Sequence, residues 1–67
     1  MSTKRLAMNV KTLRRQRGYN QTELAKRVGV TQAYIAMLEK GDKVNPTLAL
    51  LTKLAKALKV RVGELVA

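Results

Sequence analysis

The side chains of this sequence that could do chemistry are amides and cations, which suit recognition of a polyanion better than catalysis. Lysine and arginine total 14 against four acids, and the chain has neither histidine nor cysteine. Disulfide bonds and a zinc site of the usual cysteine–histidine kind are therefore excluded. Glu23, Glu39, Asp42 and Glu64 form no pair usable for acid–base catalysis, and no glycine-rich phosphate loop is present. We expect a protein that is not an enzyme and needs no metal or other cofactor.

The charge balance indicates the class of partner. A net charge of +10 on 67 residues favours a polyanion, most often nucleic acid. A basic surface that serves only solubility is the alternative. No apolar run reaches membrane-spanning length, and the N-terminal segment MSTKRLAMNV lacks the apolar part of a secretion signal. We expect a cytoplasmic protein with no membrane partner and no small-molecule ligand.

Helices must position these side chains. The apolar residues between the punctuating glycines and Pro46 recur at helical spacing. The pattern predicts helices over residues 4–17, 21–28, 32–40, 48–58 and 63–66, in a single all-α domain over residues 1–67. The predicted inward-facing residues are Leu6, Val10, Leu13, Leu24, Ala25, Val28, Ile35, Leu38, Leu48, Leu51, Leu54, Ala55 and Leu58.

Residues 21–40 predict two short helices joined by a tight turn. Asn20 followed by Glu23 is a capping-box pattern at the start of the first helix. Ala25 is the small residue that two helices need where they cross steeply, and Gly29 takes positive φ at little cost. A generic helical hairpin is the alternative. The basic charge favours a helix-turn-helix that binds duplex DNA.

The second of these helices carries the predicted base-reading residues. In a helix-turn-helix this helix enters the major groove with its N-terminal residues against base edges. The Gln32 amide offers a donor and an acceptor together, which suits the N6/N7 edge of adenine. Ala33 could contact a thymine methyl, and so could Met37, for which partial core packing is the alternative. The base-reading set is Gln32, Ala33, Ala36 and Met37.

Four segments together resemble the Cro/repressor (Xre-type) helix-turn-helix family: LRRQRGYNQTELA, VGVTQAYIAMLEKG, NPTLALLTKLAKAL and VRVGEL. The resemblance covers residues 10–65 and implies a compact five-helix, lambda-repressor-like fold. It also implies a transcriptional regulator, most often a repressor, that binds a pseudo-palindromic operator as a homodimer. The alternative is a protein-interaction module, such as an antitoxin-like or adaptor domain, whose main partner is another protein.

The resemblance also implies roles for polar residues outside the base-reading set. It pairs Arg14 with Glu39 as a partly buried salt bridge. Phosphate contacts are expected at the start of the helix over residues 21–28, where backbone N–H groups are free. They are also expected at the Tyr34 hydroxyl and just after the helix over residues 32–40. The expected phosphate contacts are Asn20, Gln21, Tyr34, Lys40, Lys43 and Asn45, with Lys11, Arg15 and Arg17 as weaker candidates.

The C-terminal part departs from the family pattern. Lys59 stands where the family often has the glycine that ends helix 4, and a lysine at positive φ costs about 1 kcal/mol. A different end for this helix is therefore expected. Lys53, Lys56 and Lys59 recur every three residues and predict a solvated outer face. The possible dimer contact is Val62, Leu65 and Val66, which could instead close the core.

Overall fold

The computed structural model describes residues 3–41 and 45–67, and within them the chain forms five α-helices. They are α1 (Thr3–Gln16), α2 (Gln21–Val28), α3 (Gln32–Lys40), α4 (Leu48–Ala57) and α5 (Val62–Val66). The predicted all-α class is confirmed, and every predicted helix matches its observed bounds to within one residue. Of the helices described, none is long and apolar enough to cross a membrane.

Side-chain caps begin the three central helices. Asn20 Oδ1 accepts a hydrogen bond from the Glu23 backbone N–H at 2.7 Å, and the Glu23 carboxylate accepts one from the Asn20 N–H at 2.9 Å. The predicted capping box is thus confirmed. Thr31 and Thr47 each accept a backbone N–H at 3.1 Å to begin α3 and α4. Such a cap contributes about 1 kcal/mol, so local sequence sets these helix starts.

A residue in the left-handed conformation follows each of the first four helices. Gly18, Gly29 and Gly41 fill this position after α1, α2 and α3, with φ of 76°, 83° and 79°. Lys59 fills it after α4, with φ of 59°. The expectation that α4 ends differently from a glycine-terminated helix is therefore wrong.

Hydrogen bonds and packing explain why α4 keeps this ending. The Val60 N–H donates to the Ala55 carbonyl at 2.9 Å, and the Lys59 N–H donates to the Lys56 carbonyl at 3.2 Å. These two bonds form a Schellman motif and satisfy carbonyls that the helix end leaves unpaired. Val60 also packs against the core. Together, the two hydrogen bonds and the packing of Val60 stabilise this ending by more than the roughly 1 kcal/mol that a left-handed lysine costs.

The core lies between α1, α2, α3 and α4, and α5 closes it. α1 packs against α3 and α5, α2 packs against α3 and α4, and α4 packs against α5. Ala25 is 2% exposed in the region where α2 meets α3. The main buried residues are Leu6, Val10, Leu24, Ala25, Val28, Ile35, Leu38, Leu51, Leu54, Ala55, Leu58 and Leu65.

Two of the predicted core positions differ in the structure. Leu13 is only partly buried, although it packs against the core. Leu48 was predicted to face inward but is 72% exposed. It is the first residue of α4, and helical side chains tilt toward the N-terminus, so Leu48 projects beyond the layer that its neighbours cover. Pro46, just before the cap, is buried instead.

Candidate nucleic-acid interface

The turn between α2 and α3 presents the start of α3 to solvent. The left-handed Gly29 reverses the chain, and both its N–H and that of Val30 donate to the Ala25 carbonyl, at 2.8 and 3.0 Å. Gln32 and Ala33 are exposed as a result. Of the two predicted base-reading residues one turn further on, Met37 is 48% exposed and Ala36 is half-buried.

An ion pair joins α1 to the end of α3. Arg14 Nε donates to Glu39 Oε2 at 2.6 Å, and Arg14 Nη2 donates to Glu39 Oε1 at 3.0 Å, so the pair is bidentate. A third donor, Arg14 Nη1, reaches the Tyr19 carbonyl at 2.8 Å. The side chains of Arg14 and Glu39 are 11% and 3% exposed. The structure therefore contains the salt bridge that the family resemblance implies.

Two further hydrogen bonds extend this ion pair to the surface. Gln21 Nε2 donates to Glu39 Oε1 at 3.2 Å, and Gln32 Nε2 donates to Gln21 Oε1 at 2.7 Å. The chemistry of the groups sets the donor-to-acceptor direction of these hydrogen bonds. A carboxylate only accepts, so Gln21 must turn its NH₂ toward Glu39, and its oxygen then faces Gln32. We call Arg14, Glu39, Gln21 and Gln32 the amide relay.

The start of α2 offers backbone donors in addition to the amide N–H groups of its side chains. The Asn20 oxygen accepts from the Glu23 N–H, and both polar atoms of the Gln21 amide have partners in the amide relay. Within the described residues, the backbone N–H groups of Gln21 and Thr22 make no hydrogen bond. These two groups at the positive end of the helix dipole suit an anion.

The remaining predicted phosphate contacts lie on α3 and just beyond it. Tyr34 is half-buried, and desolvation by this burial raises the pKa of its hydroxyl, which stays protonated and able to donate at neutral pH. Lys40, at the end of α3, is exposed, and so is Asn45. Lys43 lies outside the described residues.

Two arginines make contacts that the sequence alone did not indicate. Arg17 Nε donates to the Leu58 carbonyl at 2.9 Å, which ties the end of α1 to the end of α4. Arg17 was a weaker candidate for a phosphate contact, and only its other guanidinium nitrogens remain available for one. The Arg27 guanidinium lies 4.5 Å from the centroid of the Tyr19 ring. No local sequence pattern predicts either contact, because each joins separate elements.

The predicted dimer contact is changed by the burial of its central residue. Leu65 is 0% exposed and closes the core, which is the alternative given for it, so its side chain has no surface left for a partner subunit. A five-residue helix must bury its one large leucine to be held in place at all. Val62 and Val66 are half-buried and keep part of their surface open. Asn9 Nδ2 fastens the end of α5 by donating to the Leu65 and Ala67 carbonyls at 2.9 and 3.2 Å.

Comparison with protein families and curated proteins gives a consistent result. A family model described as helix-turn-helix matches residues 10–65. YgzD of Bacillus subtilis, an uncharacterized HTH-type transcriptional regulator, is 44% identical over 55 residues, which cover 82% of this chain and 82% of YgzD. The HTH-type transcriptional regulator SinR of the same species is 32% identical over 60 residues, covering 90% of this chain and 54% of SinR. The chain thus spans about half the length of SinR.

Solved structures share the fold over almost the whole chain. The hypothetical transcription factor NHTF from Neisseria has a TM-score of 0.91 and 30% identity, and the match covers 100% of this chain and 76% of NHTF. The crystal structure of SinR, the master regulator for biofilm formation, in complex with DNA has a TM-score of 0.87 and 31% identity. That match covers 92% of this chain and 98% of the SinR chain.

Proposed function

Since the chain belongs to the helix-turn-helix family, we propose that it binds double-stranded DNA in a sequence-specific way and regulates transcription, as a repressor, with α3 in the major groove. The observation that carries the proposal is the amide relay, which holds the exposed Gln32 amide on a salt bridge in the domain interior. A base-reading side chain gains discrimination when its orientation is set before binding. Binding of an operator also requires a compartment that contains DNA, in agreement with the expected cytoplasmic location.

The relay leaves Gln32 with the donor and acceptor that adenine requires. One N–H of its amide is used on Gln21, so the second N–H and the oxygen stay available. The free N–H matches adenine N7, and the oxygen matches the N6 amino group. Ala33 and Met37 are both exposed, which supports the proposal that they meet a thymine methyl. Ala36 is half-buried and would mainly allow close approach of α3 to the bases.

Phosphate groups would be held on both sides of α3. On one side, the unpaired backbone N–H groups of Gln21 and Thr22 are donors of the kind expected at the start of this helix, and the Asn20 and Gln21 side chains stay candidates beside them. On the other side, the candidates are Lys40, Asn45 and the protonated Tyr34 hydroxyl. Lys43 stays a sequence-based prediction. Contacts of this kind supply affinity and salt dependence, whereas base contacts supply the choice of sequence.

The first experiment selects bound sequences from random duplex DNA and then measures affinity for the selected site over a range of salt. If each protomer neutralises about five phosphates, log K against log salt should fall with a slope of roughly −4 to −5 per protomer. A slope near zero, or no enrichment of any sequence, would rule out the proposed function.

The role of Gln32 is tested with a matched glutamine. Gln32→Ala should reduce the preference for adenine at one position of the site by about 1–3 kcal/mol. Gln16→Ala, at another exposed glutamine, should leave the preference unchanged. An unchanged base preference in Gln32→Ala would contradict direct readout by this residue.

A two-fold homodimer on a pseudo-palindromic operator remains part of the proposal. α3 packs mainly against α1 and α2, whereas α5 packs mainly against α1 and α4. A two-fold axis near Val62 and Val66 would put α3 on the far side of each protomer. The two copies of α3 must lie about 34 Å apart, so each must lie about 17 Å from the axis. This fits within a domain of 25 × 22 × 20 Å.

The dimer is tested by Val66→Glu, which puts a charge on the exposed part of α5. We expect it to lower the mass measured by light scattering from dimer to monomer and to weaken operator binding. Glu64→Lys, also exposed on α5, is the control. A dimer that survives Val66→Glu would place the interface elsewhere. We propose no catalytic role, and a protein partner as the main ligand would be favoured only if DNA binding fails.

A further inference from the structure

A basic groove lies between the end of α2 and the outer side of α4. It has a volume of about 490 Å³, which is within the range of ligand-binding clefts. Its two sides carry four cations, and the half-buried Ala57 supplies apolar surface between them, together with the aliphatic parts of the lysine side chains, whereas Val28 is buried. We call this the basic groove, and its lining residues are Lys26, Arg27, Val28, Gly29, Lys53, Lys56 and Ala57. All three lysines predicted to form a solvated face are exposed, and two of them, Lys53 and Lys56, form one wall of the groove.

Among the described residues, no acid forms a salt bridge with a cation of the basic groove. Glu39 is committed to Arg14, and Glu23 accepts from the Asn20 N–H in the capping box. Glu64 is exposed on α5. Lys53 and Lys56 are three residues apart on one helix, where like charges repel each other. The groove is therefore a site of concentrated positive charge that lacks a counterpart within the described residues.

Arg27 is held in a defined position at the edge of the groove. Its guanidinium stacks on the Tyr19 ring at 4.5 Å, and Tyr19 itself packs against the core. Such a contact orients a side chain that would otherwise have many rotamers. One of the four cations is therefore already arranged before any ligand arrives.

The basic groove is separate from the residues that are proposed to read DNA. None of the base-reading or phosphate-binding candidates lines it. It lies at the C-terminal end of α2, whereas the free N–H groups of Gln21 and Thr22 lie at the N-terminal end. A ligand in the groove would therefore leave the amide relay and the start of α3 uncovered.

We propose that the basic groove binds an acidic peptide segment of a different protein. Carboxylates of the segment would pair with Lys26 and Arg27 on one wall and with Lys53 and Lys56 on the other. An apolar side chain between the carboxylates would cover Ala57 and the aliphatic parts of the lysine side chains. Occupied in this way, the groove would let a partner bind the regulator while DNA is bound.

The chemistry of the groove favours this occupant over two others. A DNA backbone could also present phosphates to the cationic walls, but none of the candidate DNA contacts lines the groove. A second copy of this chain fits less well, because its four acids are dispersed along the sequence and form no acidic run. The carboxylates of an acidic segment would pair with the cations on both sides of the groove, and an apolar side chain of the segment would cover the apolar surface between them.

The test is a fluorescence-anisotropy titration of the full chain with two labelled peptides of equal charge. One peptide has two leucines between runs of glutamate, and the other has serines in place of the leucines. We expect the leucine peptide to bind at least about fivefold more tightly, because it buries the apolar surface between the cations. No binding of the leucine peptide, or equal binding of both peptides, would overturn the proposal.

A matched pair of variants locates the binding site. Lys53→Gln with Lys56→Gln should weaken binding of the leucine peptide about tenfold, since two charge pairs are lost. Lys4→Gln with Arg61→Gln removes the same charge from exposed positions elsewhere, and it should change binding by less than about threefold. Circular dichroism checks that both variants fold. Equal weakening in the two variants would mean that the peptide is attracted to the basic chain in general, and it would refute binding in the basic groove.

A DNA titration separates the acidic peptide from a second phosphate contact. With duplex DNA, the Lys53→Gln and Lys56→Gln variant should keep the salt slope of the unmodified chain. If the groove held phosphates instead, the slope would become shallower by about 2, and the peptide proposal would be rejected. The peptide titration does not depend on DNA binding, so its outcome stands whether or not the proposed function holds.

Discussion

Glu39→Ala should be among the most destabilising single substitutions in this chain, because it strands a buried arginine. The change removes the acceptor of three hydrogen bonds: two from Arg14, at 2.6 and 3.0 Å, and one from Gln21, at 3.2 Å. Only the bond from Arg14 to the Tyr19 carbonyl remains. The guanidinium is then left largely desolvated without its counter-ion.

The magnitude follows from the burial of the pair. Breaking a buried ion pair by removing one partner costs about 3–5 kcal/mol. The Arg14 side chain keeps 11% exposure, so water offsets part of this cost and the lower end, about 3 kcal/mol, applies. A domain of 67 residues has a total stability of about 3–10 kcal/mol. The substitution therefore removes a large fraction of the stability, and it lowers Tm by about 12 °C or more.

Urea and thermal unfolding, followed by circular dichroism, measure this effect. Glu64→Ala is the matched control, since Glu64 is exposed on α5 and makes no hydrogen bond with its side chain among the described residues; it should change stability by about 0.5 kcal/mol or less. Replacing Arg14 and Glu39 together by methionine should destabilise less than Glu39→Ala alone, because no charge is stranded. Equal losses in Glu39→Ala and Glu64→Ala would refute the reasoning, as would a double variant less stable than Glu39→Ala.

Three more substitutions test other parts of the structure. Lys59→Gly should raise the free energy of unfolding by about 0.5–1 kcal/mol in urea melts, because glycine adopts the left-handed conformation without strain. Lys59→Ala keeps the strain and should not raise it. Equal effects of the two substitutions would mean that the lost charge, and not the positive φ, determines the change in stability. Ala25→Leu should cost about 1–3 kcal/mol by overpacking a residue that is 2% exposed, and a neutral result would place the α2–α3 contact elsewhere. Gln21→Ala should relax the base preference read by Gln32 in binding assays, whereas Thr22→Ala should not.

Helix bounds and the helix-turn-helix could be predicted from the sequence because the interactions that set them are local. Asn20, Thr31 and Thr47 each accept a hydrogen bond from a residue three positions on. The left-handed Gly29 reverses the chain within the same few residues. Side-chain types at fixed short spacing are therefore sufficient to place these elements.

Burial was less predictable at the ends of elements than in their middle. Helical spacing put Leu48 on the same stripe as Leu51, but only Leu51 is buried. Spacing reports the angular position of a side chain on its helix, and it carries no information on how far the neighbouring helices extend along the axis. For Leu65 the sequence left open whether it closes the core or contacts a partner subunit, and the packing of α5 against α1 and α4 decided for the core.

The sequence by itself therefore determined the helices, the apolar faces and the presence of an amide at the start of α3, since each depends on residues within one or two turns. The tertiary structure decided which polar groups meet. The amide relay joins residues 11, 18 and 25 positions apart, and the basic groove joins the end of α2 to α4. Such contacts depend on how helices pack against one another, and that packing is set by the whole core at once and by no local pattern.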